Sequence, residues 1–446
     1  MNPDRIVSDF RQRQLSIDFM QMSLVQNGAV GGGAISYEGK GYIKQSDDDK
    51  LAFKLYASKV ENTDLTRDFN RLNETTSGQL YSADDFYTLS GVASDGSVWK
   101  AERVLPHCDW NAQFENPVVR GGLSSISGGE LAQGPKSIAL HFFDKADLPV
   151  LIDKANFKAA GCEFRVENSE ASFTVRAKSE DPLPDYFAMR IEEALRFLLA
   201  QSVSPRAIIQ PRAITLNSTT LKSPLIRLGP PISRGSAAFV DRSWDLFDAY
   251  LSYVMREGKF ENWHPCTGHL HNAMEASANS LDAWAVGLGV AVEGLASMIE
   301  MKLDKARSKA RAREETKLRN LQKLIVKEVS KRKTYKDSTD RIRGILAGLT
   351  EVRAIDRMKW LAGEGGLDPK HIDAWRKLRN RGVHPKAKGD LDIASLDFQK
   401  ALDDLHRVNV LLYHIVFHLI GYRGPFTDYG ELNFPTREYP SEPAKT

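Results

Sequence analysis

Two side chains in the C-terminal part of the chain, Arg379 and His384, have the types and spacing for chemistry on a phosphate group. Histidine has an unperturbed pKa of ~6.5, so it can accept and release a proton at neutral pH. Arginine stays charged and can form two parallel hydrogen bonds with a phosphate. The amide of Asn380 follows the arginine directly and could orient the histidine or the phosphate. In RNA the ribose 2′-hydroxyl lies next to the phosphate, so this set predicts cleavage without a metal.

The chain around this pair must bring the two side chains together. They lie in the segment DAWRKLRNRGVHPKAKGD. On an unbroken helix, five residues separate two side chains by about 140°, which places them on different faces. Gly382 and Pro385 are typical of a helix end, so we predict a turn at Gly382 that returns His384 towards Arg379. The spacing alone, which occurs by chance in many proteins, favours an ion-pairing surface arginine and a loop histidine over a catalytic pair.

Helices on both sides of the pair are predicted from capping residues and apolar periodicity. Asp368 and Pro369 are typical of a helix start, and that helix carries Trp375 and Leu378 on one side. A last helix from about Ser395 to Ile420 should end at Gly421. Its apolar stripe is interpreted as core or as a dimer contact. The stripe consists of Phe398, Leu402, Leu405, Leu412, Val416 and Leu419.

A long helix is predicted to begin near Ser280 and to run on into a basic stretch, with a break near 331–334. Its apolar positions are Val286, Val290, Leu295, Met298 and Ile299. Between Met301 and Arg343 there are 16 Lys or Arg against 6 Asp or Glu, a balance of +10 in a chain of net charge +3. The rest of the chain is therefore mildly acidic. The basic stretch suggests a polyanionic partner, and the alternative is a surface helix that is rich in Lys and Arg for solubility alone.

The first part of the chain is predicted to be strand-rich. Polar and apolar residues alternate in Ala34–Gln45, Cys162–Glu167 and Ser172–Lys178, and the last two form a hairpin that turns near residues 168–170. One helix is predicted within residues 181–201. A Ser, Thr, Pro and Gly-rich segment at 217–235 marks a domain boundary.

The fold class is therefore α+β and multidomain. Residues 1–232 form a strand-rich N-terminal domain, residues 233–425 a helical domain that begins with Ser243–Arg256, and residues 426–446 an irregular tail. The chain has 446 residues, of which 42% are hydrophobic and 27% charged, typical of a globular protein. No apolar run approaches the ~20 residues of a membrane-spanning helix, and the polar N-terminus is not a secretory signal. We expect a cytoplasmic location, and the 3 cysteines fit a reducing compartment.

Arg379, Asn380 and His384, at the end of one helix and before a long apolar-striped helix, resemble the signature motif of HEPN domains. In that family an arginine and a polar residue precede a histidine after a gap of four to six residues. The resemblance covers about Ser280 to Gly421. The arrangement of a strand-rich module followed by Ser243–Arg256, the segment VGLGVAVEGLASMIE and the motif is similar to the ApeA-like anti-phage proteins.

The resemblance implies a helical bundle that dimerises and places two motifs in one composite cleft. It implies a metal-independent endoribonuclease in which Arg379 stabilises the phosphate and His384 moves the proton. The products would be a 2′,3′-cyclic phosphate and a 5′-hydroxyl. Glu293 lies where such domains often carry an acidic residue, although a solvated helix face explains it equally well. RNA, with transfer RNA as one candidate, a second copy of the chain and a phage-derived trigger at the N-terminal domain are the expected partners.

Two other functions remain open from the sequence. A non-catalytic HEPN module would bind RNA or protein, and Arg379 and His384 would then matter for affinity alone. Alternatively, the active site would lie in residues 1–230, which predicts a cluster of groups with perturbed pKa values in a cleft there.

Other chemistry-bearing residues receive structural interpretations. His264, Cys266, His269 and His271 are zinc-type ligands, but four ligands on so short a loop seldom form a tetrahedral site, so we expect a polar loop between helices and neither metal nor cofactor. Gly31–Gly33 lack the Gly-Lys-Ser/Thr of a phosphate-binding loop and are interpreted as a bend between strands. His414 and His418 lie one turn apart beside the apolar stripe and are interpreted as near-core histidines.

Overall fold

The computed structural model describes residues 1–28, 33–46, 49–62, 80–110, 115–130, 134–218, 228–257, 262–302, 305–331, 346, 351–383 and 396–440. At 257, 305–307, 311, 381–383 and 396–397 it describes the backbone alone. The chain divides into two compact units. The N-terminal unit consists of Met1–Leu225 and Phe239–Trp263, and the C-terminal unit of Ile226–Ala238 and His264–Thr446.

The N-terminal unit is built on a large antiparallel sheet. In chain order its described strands are β1 (Ser16–Gln26), β2 (Ser36–Gln45), β3 (Leu51–Glu61), β4 (Tyr87–Ala93), β5 (Val98–Val104), β6 (His107–Asp109), β7 (Val118–Leu123), β8 (Ser125–Gly129), β9 (Ser137–Phe142), β10 (Lys154–Ala159), β11 (Cys162–Asn168), β12 (Phe173–Lys178), β13 (Ala207–Gln210) and β14 (Ala213–Asn217). Their order in the sheet is β10-β11-β12-β9-β13-β14-β8-β5-β4-β1-β2-β3-β7-β6. The predicted hairpin is confirmed, since β11 pairs with β12 and Ser169 donates its backbone N–H to Ser172 across the turn.

Alternating side chains bury one face of these strands. In β12, Phe173, Val175 and Ala177 are buried while the residues between them face outward, which is the period of two expected of a strand with one covered face. The predicted helix within 181–201 is α2 (Phe187–Leu199). The sequence prediction missed α1 (Pro3–Arg11), whose first turn is capped by the Asn2 side chain.

The helix predicted to open the helical domain belongs instead to the N-terminal unit. This helix, α3 (Phe239–Glu257), is longer than the predicted Ser243–Arg256. Trp244 stacks on Phe157 of the sheet with ring centroids 4.1 Å apart and donates its indole N–H to the carbonyl of Pro149 at 2.9 Å. Aromatic packing on the sheet therefore decides the position of α3, a contact that its own periodicity does not reveal.

The C-terminal unit is mainly helical, so the α+β class is confirmed at this level. Its described helices are α4 (Pro265–Ser277), α5 (Leu281–Ser297), α6 (Lys305–Lys331), α7 (Ala354–Gly363), α8 (Pro369–Val383) and α9 (Leu396–Ile420). Helix α9 lies at the centre, with every residue from Val408 to Phe417 buried, and it ends at Gly421 as predicted, where φ is +70°. The buried α9 stripe is thus core rather than a dimer contact over these residues.

One long helix from Ser280 was predicted, and that prediction is wrong. Helix α5 ends at Ser297, and α6 starts again at Lys305. Between them Ile299 is fully buried, and its carbonyl accepts a hydrogen bond from the Arg357 guanidinium. The chain turns inward to bury an isoleucine without glycine or proline, so the residue types gave no sign of a break.

The tail that was predicted to be irregular contains a β-hairpin. Strands β15 (Gly424–Thr427) and β16 (Thr436–Tyr439) pair antiparallel. Thr427 donates its backbone N–H to Pro231 at 2.8 Å, and its hydroxyl oxygen accepts the N–H of Ser233 at 2.8 Å. Pro231 and Ser233 of the predicted linker are therefore tied to the tail within the C-terminal unit, whereas Asn217 at its start ends β14 of the N-terminal unit. No helix among the described residues is long and apolar enough to cross a bilayer.

Candidate functional site

Helix α8 positions Arg379 and Asn380. It begins as predicted, because the Asp368 carboxylate accepts the backbone N–H of Lys370 at 2.8 Å and Pro369 occupies the first helical position. Trp375 and Leu378 are each 3% exposed and hold one side of the helix in the core. Arg379 and Asn380 lie on the exposed side.

The predicted turn at Gly382 is not found, because α8 continues through Gly382 and ends at Val383. A helical hydrogen-bond pattern that is already established can pass through one glycine at a cost of about 1 kcal/mol relative to alanine. His384 and Pro385 lie outside the described residues. The structure therefore places two of the three predicted site residues, Arg379 and Asn380, side by side at the end of the helix.

Arg379 forms an ion pair with Glu293 of α5. Its Nε lies 3.2 Å from Oε2 of Glu293, and its Nη2 donates to Oε1 at 3.3 Å. The two side chains are 49% and 45% exposed, so water screens their attraction and keeps their contribution to stability small. Glu293, whose role the sequence left open, is thus the direct partner of the predicted catalytic arginine.

Trp375 forms the platform under this ion pair. The Arg379 guanidinium carbon lies 5.7 Å from the centroid of the indole ring, within the range of a cation–π contact. The indole N–H donates to the carbonyl of Gly289 at 3.1 Å, which joins α8 to α5. The half-exposed Arg379 guanidinium therefore contacts both a buried tryptophan one turn earlier on its own helix and a carboxylate on the neighbouring helix.

Two exposed valines lie on the same face of α5 as Glu293. Val286 is 46% and Val290 59% exposed, and both share a helix face with Glu293 because the spacing is four and then three residues. The sequence analysis named these two valines only as apolar positions of the helix. In the structure they form an exposed apolar surface on the face of α5 that carries Glu293.

The four zinc-type ligands lie on or at the start of a helix rather than on the expected polar loop. His264 caps α4, and its Nδ1 accepts the backbone N–H of Cys266, which is itself fully buried. No group of three His, Cys, Asp or Glu side chains in the described part of the chain has the geometry to hold a metal ion.

A polar cleft in the C-terminal unit was not predicted. It has a volume of about 740 Å³ and is lined among others by His371 of α8, His414 of α9, Asp428 and Arg437. The residues come from segments distant in the sequence, and only the tertiary fold shows their proximity. His414 is buried as predicted, yet among the described residues its Nε2 has no hydrogen-bond partner, and the same holds for Nδ1 of His371. His418, the other predicted near-core histidine, is half-buried.

Burial of His414 makes the stability of the protein depend on pH. Burial first, and the nearby His371 second, lower the pKa of His414 to about 3. Below pH ~6.5 the His414 imidazole is protonated in the unfolded chain but stays neutral in the folded protein. The free energy of unfolding therefore falls by up to about 1.4 kcal/mol for each unit that the pH is lowered, until the pKa of the folded state is reached. We expect the free energy of unfolding in urea to change less between pH 7 and pH 4.5 for His414→Phe than for wild type. The control His107→Ala, which changes an exposed histidine, should show the same pH dependence as wild type. A wild-type minus His414→Phe difference that is constant with pH would contradict this expectation.

The N-terminal unit gives little support to an active site there. Burial lowers the pKa of His141 to about 4 and raises that of Asp144. The large described cavities of this unit are lined elsewhere, one by Lys158, Arg165 and Arg176 among others, and one by residues such as Lys54 and Arg120. Neither His141 nor Asp144 lines either of these two cavities.

Comparison with known proteins identifies no relative: no family model, no curated protein and no solved structure matches the chain. The candidate site thus rests on its own geometry. It offers a fixed guanidinium and an amide on an exposed surface, next to the position where the chain continues to His384. Such a set can bind an oxyanion and, with the histidine, transfer a proton.

Proposed function

We propose that the protein is a metal-independent endoribonuclease of HEPN type, with Arg379, Asn380 and His384 as its catalytic residues. The observation that carries the proposal is Arg379, which is solvent-facing yet fixed by Trp375 and Glu293, directly beside Asn380. A cation that is held in place can stabilise charge on a phosphate without reorganising during the reaction. His384 follows four residues later in the chain.

In the proposed reaction the ribose 2′-oxygen attacks the adjacent phosphorus, and the bond from phosphorus to the 5′-oxygen breaks. His384 takes the proton from the 2′-hydroxyl, and the His384 imidazolium then gives a proton to the leaving 5′-oxygen. Arg379 bonds to the non-bridging oxygens as negative charge builds up on them, and Asn380 orients the phosphate or the histidine. The products are a 2′,3′-cyclic phosphate and a 5′-hydroxyl. The proposed reaction consumes no water and uses no metal ion.

A dimer through α5 would bring two such sites together. The exposed Val286 and Val290 lie on the face of α5 that carries Glu293, so an apolar contact there would place the partner's motif near Arg379. RNA cleavage on demand would stop growth, which fits a cytoplasmic role in anti-phage defence with a trigger acting at the N-terminal unit. The resemblance of the motif to HEPN domains and to ApeA-like proteins motivates this role.

One observation favours a non-catalytic alternative. Arg379 already has a carboxylate partner in Glu293, which a phosphate would have to displace or share. In a module that only binds RNA or protein, Arg379 and His384 would contribute affinity and no cleavage would occur.

The nature of the attacking group distinguishes these functions. Purified protein, with and without phage lysate, would first be incubated with transfer RNA, and the positions of cleavage would be mapped. The same protein would then be given an RNA oligonucleotide that contains one mapped position, with and without a single 2′-deoxy substitution there. We expect cleavage of the RNA and no cleavage at the substituted position. Equal cleavage of both would exclude 2′-oxygen attack, and binding without cleavage under all conditions would favour the alternative.

Glu293 is expected to act as a positioning residue for Arg379. Because both side chains are half-exposed, Glu293→Ala should change the free energy of unfolding by less than about 1 kcal/mol. It should slow cleavage about 10-fold, because the guanidinium loses its fixed orientation, whereas Glu293→Gln keeps an acceptor and should recover part of the rate. Single-turnover rates of the two variants test this, and faster cleavage by Glu293→Ala would mean that Glu293 competes with the phosphate.

A further inference from the structure

Helix α6 stands apart from the rest of the C-terminal unit in its surroundings. It has 27 residues, which corresponds to a length of about 40 Å. None of its described side chains is buried, and even Leu321 and Leu324 are 49% and 60% exposed. One line of the helix, at Glu315, Leu318, Gln322, Ile325, Val326 and Val329, is half-buried, and its other described side chains are exposed. A helix of this length with no buried residue needs a role other than filling the core.

The charges of α6 are concentrated on one face. At 100° per residue, an arc of about 120° contains six basic residues whose side chains are described, in rows spaced mostly four residues apart, about 6 Å along the axis. These residues, the basic face, are Lys309, Arg313, Lys317, Lys323, Lys327 and Lys331. The acidic residues Glu314, Glu315 and Glu328 fall outside this arc. Two of them pair internally, Glu315 with Arg319 at 2.6 Å and Glu328 with Lys331 at 2.7 Å.

Rows of cations about 6 Å apart can bind a polymer whose negative charges have a similar spacing. A nucleic-acid backbone carries one phosphate per nucleotide and releases bound counterions when lysines and arginines neutralise it. The helix contains no aromatic residue, so it has no side chain on which unpaired bases could stack. Contacts with phosphates alone favour a double-helical stem, which proteins recognise mainly by shape and backbone.

We propose that the basic face of α6 is a binding site for the phosphate backbone of an RNA stem. The inference rests on the proposed function in taking RNA as the polyanion, and it names the substrate class as folded RNA with a double-helical part. Helix α6 holds the RNA without reading its sequence, and the Arg379 site acts on the RNA so held. The basic face therefore sets affinity and its salt dependence, while the rate at saturating RNA depends on the Arg379 site.

The test uses full-length protein carrying His384→Ala, so that binding is measured without cleavage. Four cations of the basic face are changed together, Lys309, Arg313, Lys323 and Lys327, each to glutamine, which retains helix propensity. A matched control replaces Lys40, Lys50, Lys59 and Lys100, exposed or half-exposed lysines of the N-terminal unit, by glutamine. The probes are a fluorescent RNA stem-loop of roughly 16 base pairs and an unpaired RNA of the same length, and circular dichroism checks that both variants fold.

For the stem-loop we expect about 100-fold weaker binding by the α6 variant at moderate salt, and a slope of log affinity against log salt that is smaller by about 4. The control should bind like the parent, and unpaired RNA should bind more weakly than the stem. In protein that retains His384, the same four α6 substitutions should raise KM for RNA cleavage and leave kcat unchanged. Parent-like affinity and salt slope in the α6 variant would overturn the inference even if cleavage is observed, as would equal binding of unpaired RNA. Loss of stem binding in the α6 variant, in a protein that never cleaves, would support the inference and refute the proposed function.

Discussion

Replacing His384 or Arg379 by alanine should abolish nearly all RNA cleavage. Loss of the group that transfers the proton should slow the chemical step by about 10²–10⁴-fold, and loss of the cation at the phosphate by about 10²–10³-fold. Arg379→Lys should recover only part of the rate, because lysine keeps the charge but not the planar pair of donors. Asn380→Ala should have a smaller effect, since its amide only orients another group.

The matched control is Arg376→Ala, which removes the same side chain one turn earlier on α8. Arg376 is 60% exposed and pairs with Asp373 rather than with Glu293. Thermal unfolding should show that the Arg376 and Arg379 variants remain folded, because these two side chains are 60% and 49% exposed, and it serves as the folding check for the His384 variant. Single-turnover rates on transfer RNA provide the comparison. If Arg376→Ala slows cleavage as much as Arg379→Ala, the assignment of the site to Arg379 fails.

Replacing Trp375 by alanine should have the largest effect on stability at the site. The side chain is 3% exposed and joins α8 to α5 through its bond to Gly289. Removing a buried tryptophan leaves a cavity and costs about 3–5 kcal/mol. Trp375→Phe keeps most of the packing but leaves the indole bond unmade, so it should cost about 1–1.5 kcal/mol.

Urea unfolding followed by circular dichroism measures both changes, with Arg376→Ala as the surface control. Trp375→Phe should also slow cleavage more than its stability loss explains, because the ring beneath Arg379 changes shape. A Trp375→Ala variant as stable as Arg376→Ala would mean that the indole does not hold α8 on α5, and the argument for a fixed Arg379 would lose its basis.

Local signals in the sequence predicted several elements correctly. Asp368 and Pro369 begin α8, Gly421 ends α9, and the β11–β12 hairpin turns after Asn168. Each of these features depends on a few neighbouring residues, through a capping side chain, a left-handed glycine or an alternating pattern. Motif residues Arg379 and Asn380 were placed on the right helix for the same reason.

Features decided by distant contacts were not predictable in this way. The inward turn at Ile299 depends on Arg357, the position of α3 depends on Trp244 stacking on Phe157, and the hairpin of the tail is held by Pro231. Such contacts join residues far apart in the chain and leave no local periodicity. The four zinc-type ligands from His264 to His271 show a different error. Their close spacing was interpreted as a polar loop, whereas His264 caps a helix that carries the other three.

The site itself was predicted in its residue types and not in its surroundings. The ion pair with Glu293 and the Trp375 platform arise because α5 and α8 pack together, which neither helix shows alone. The position of His384, outside the described residues, stays a prediction from the sequence.

The most direct test of the central claim is the end chemistry of RNA fragments produced in excess EDTA. Transfer RNA would be incubated with wild-type protein in the presence and absence of EDTA, and the fragment termini identified by mass spectrometry. Cleavage that is unchanged by EDTA and leaves 2′,3′-cyclic phosphate and 5′-hydroxyl ends is the result we predict. Cleavage that EDTA abolishes, or that leaves 5′-phosphate ends, would contradict a metal-independent site built on Arg379 and His384.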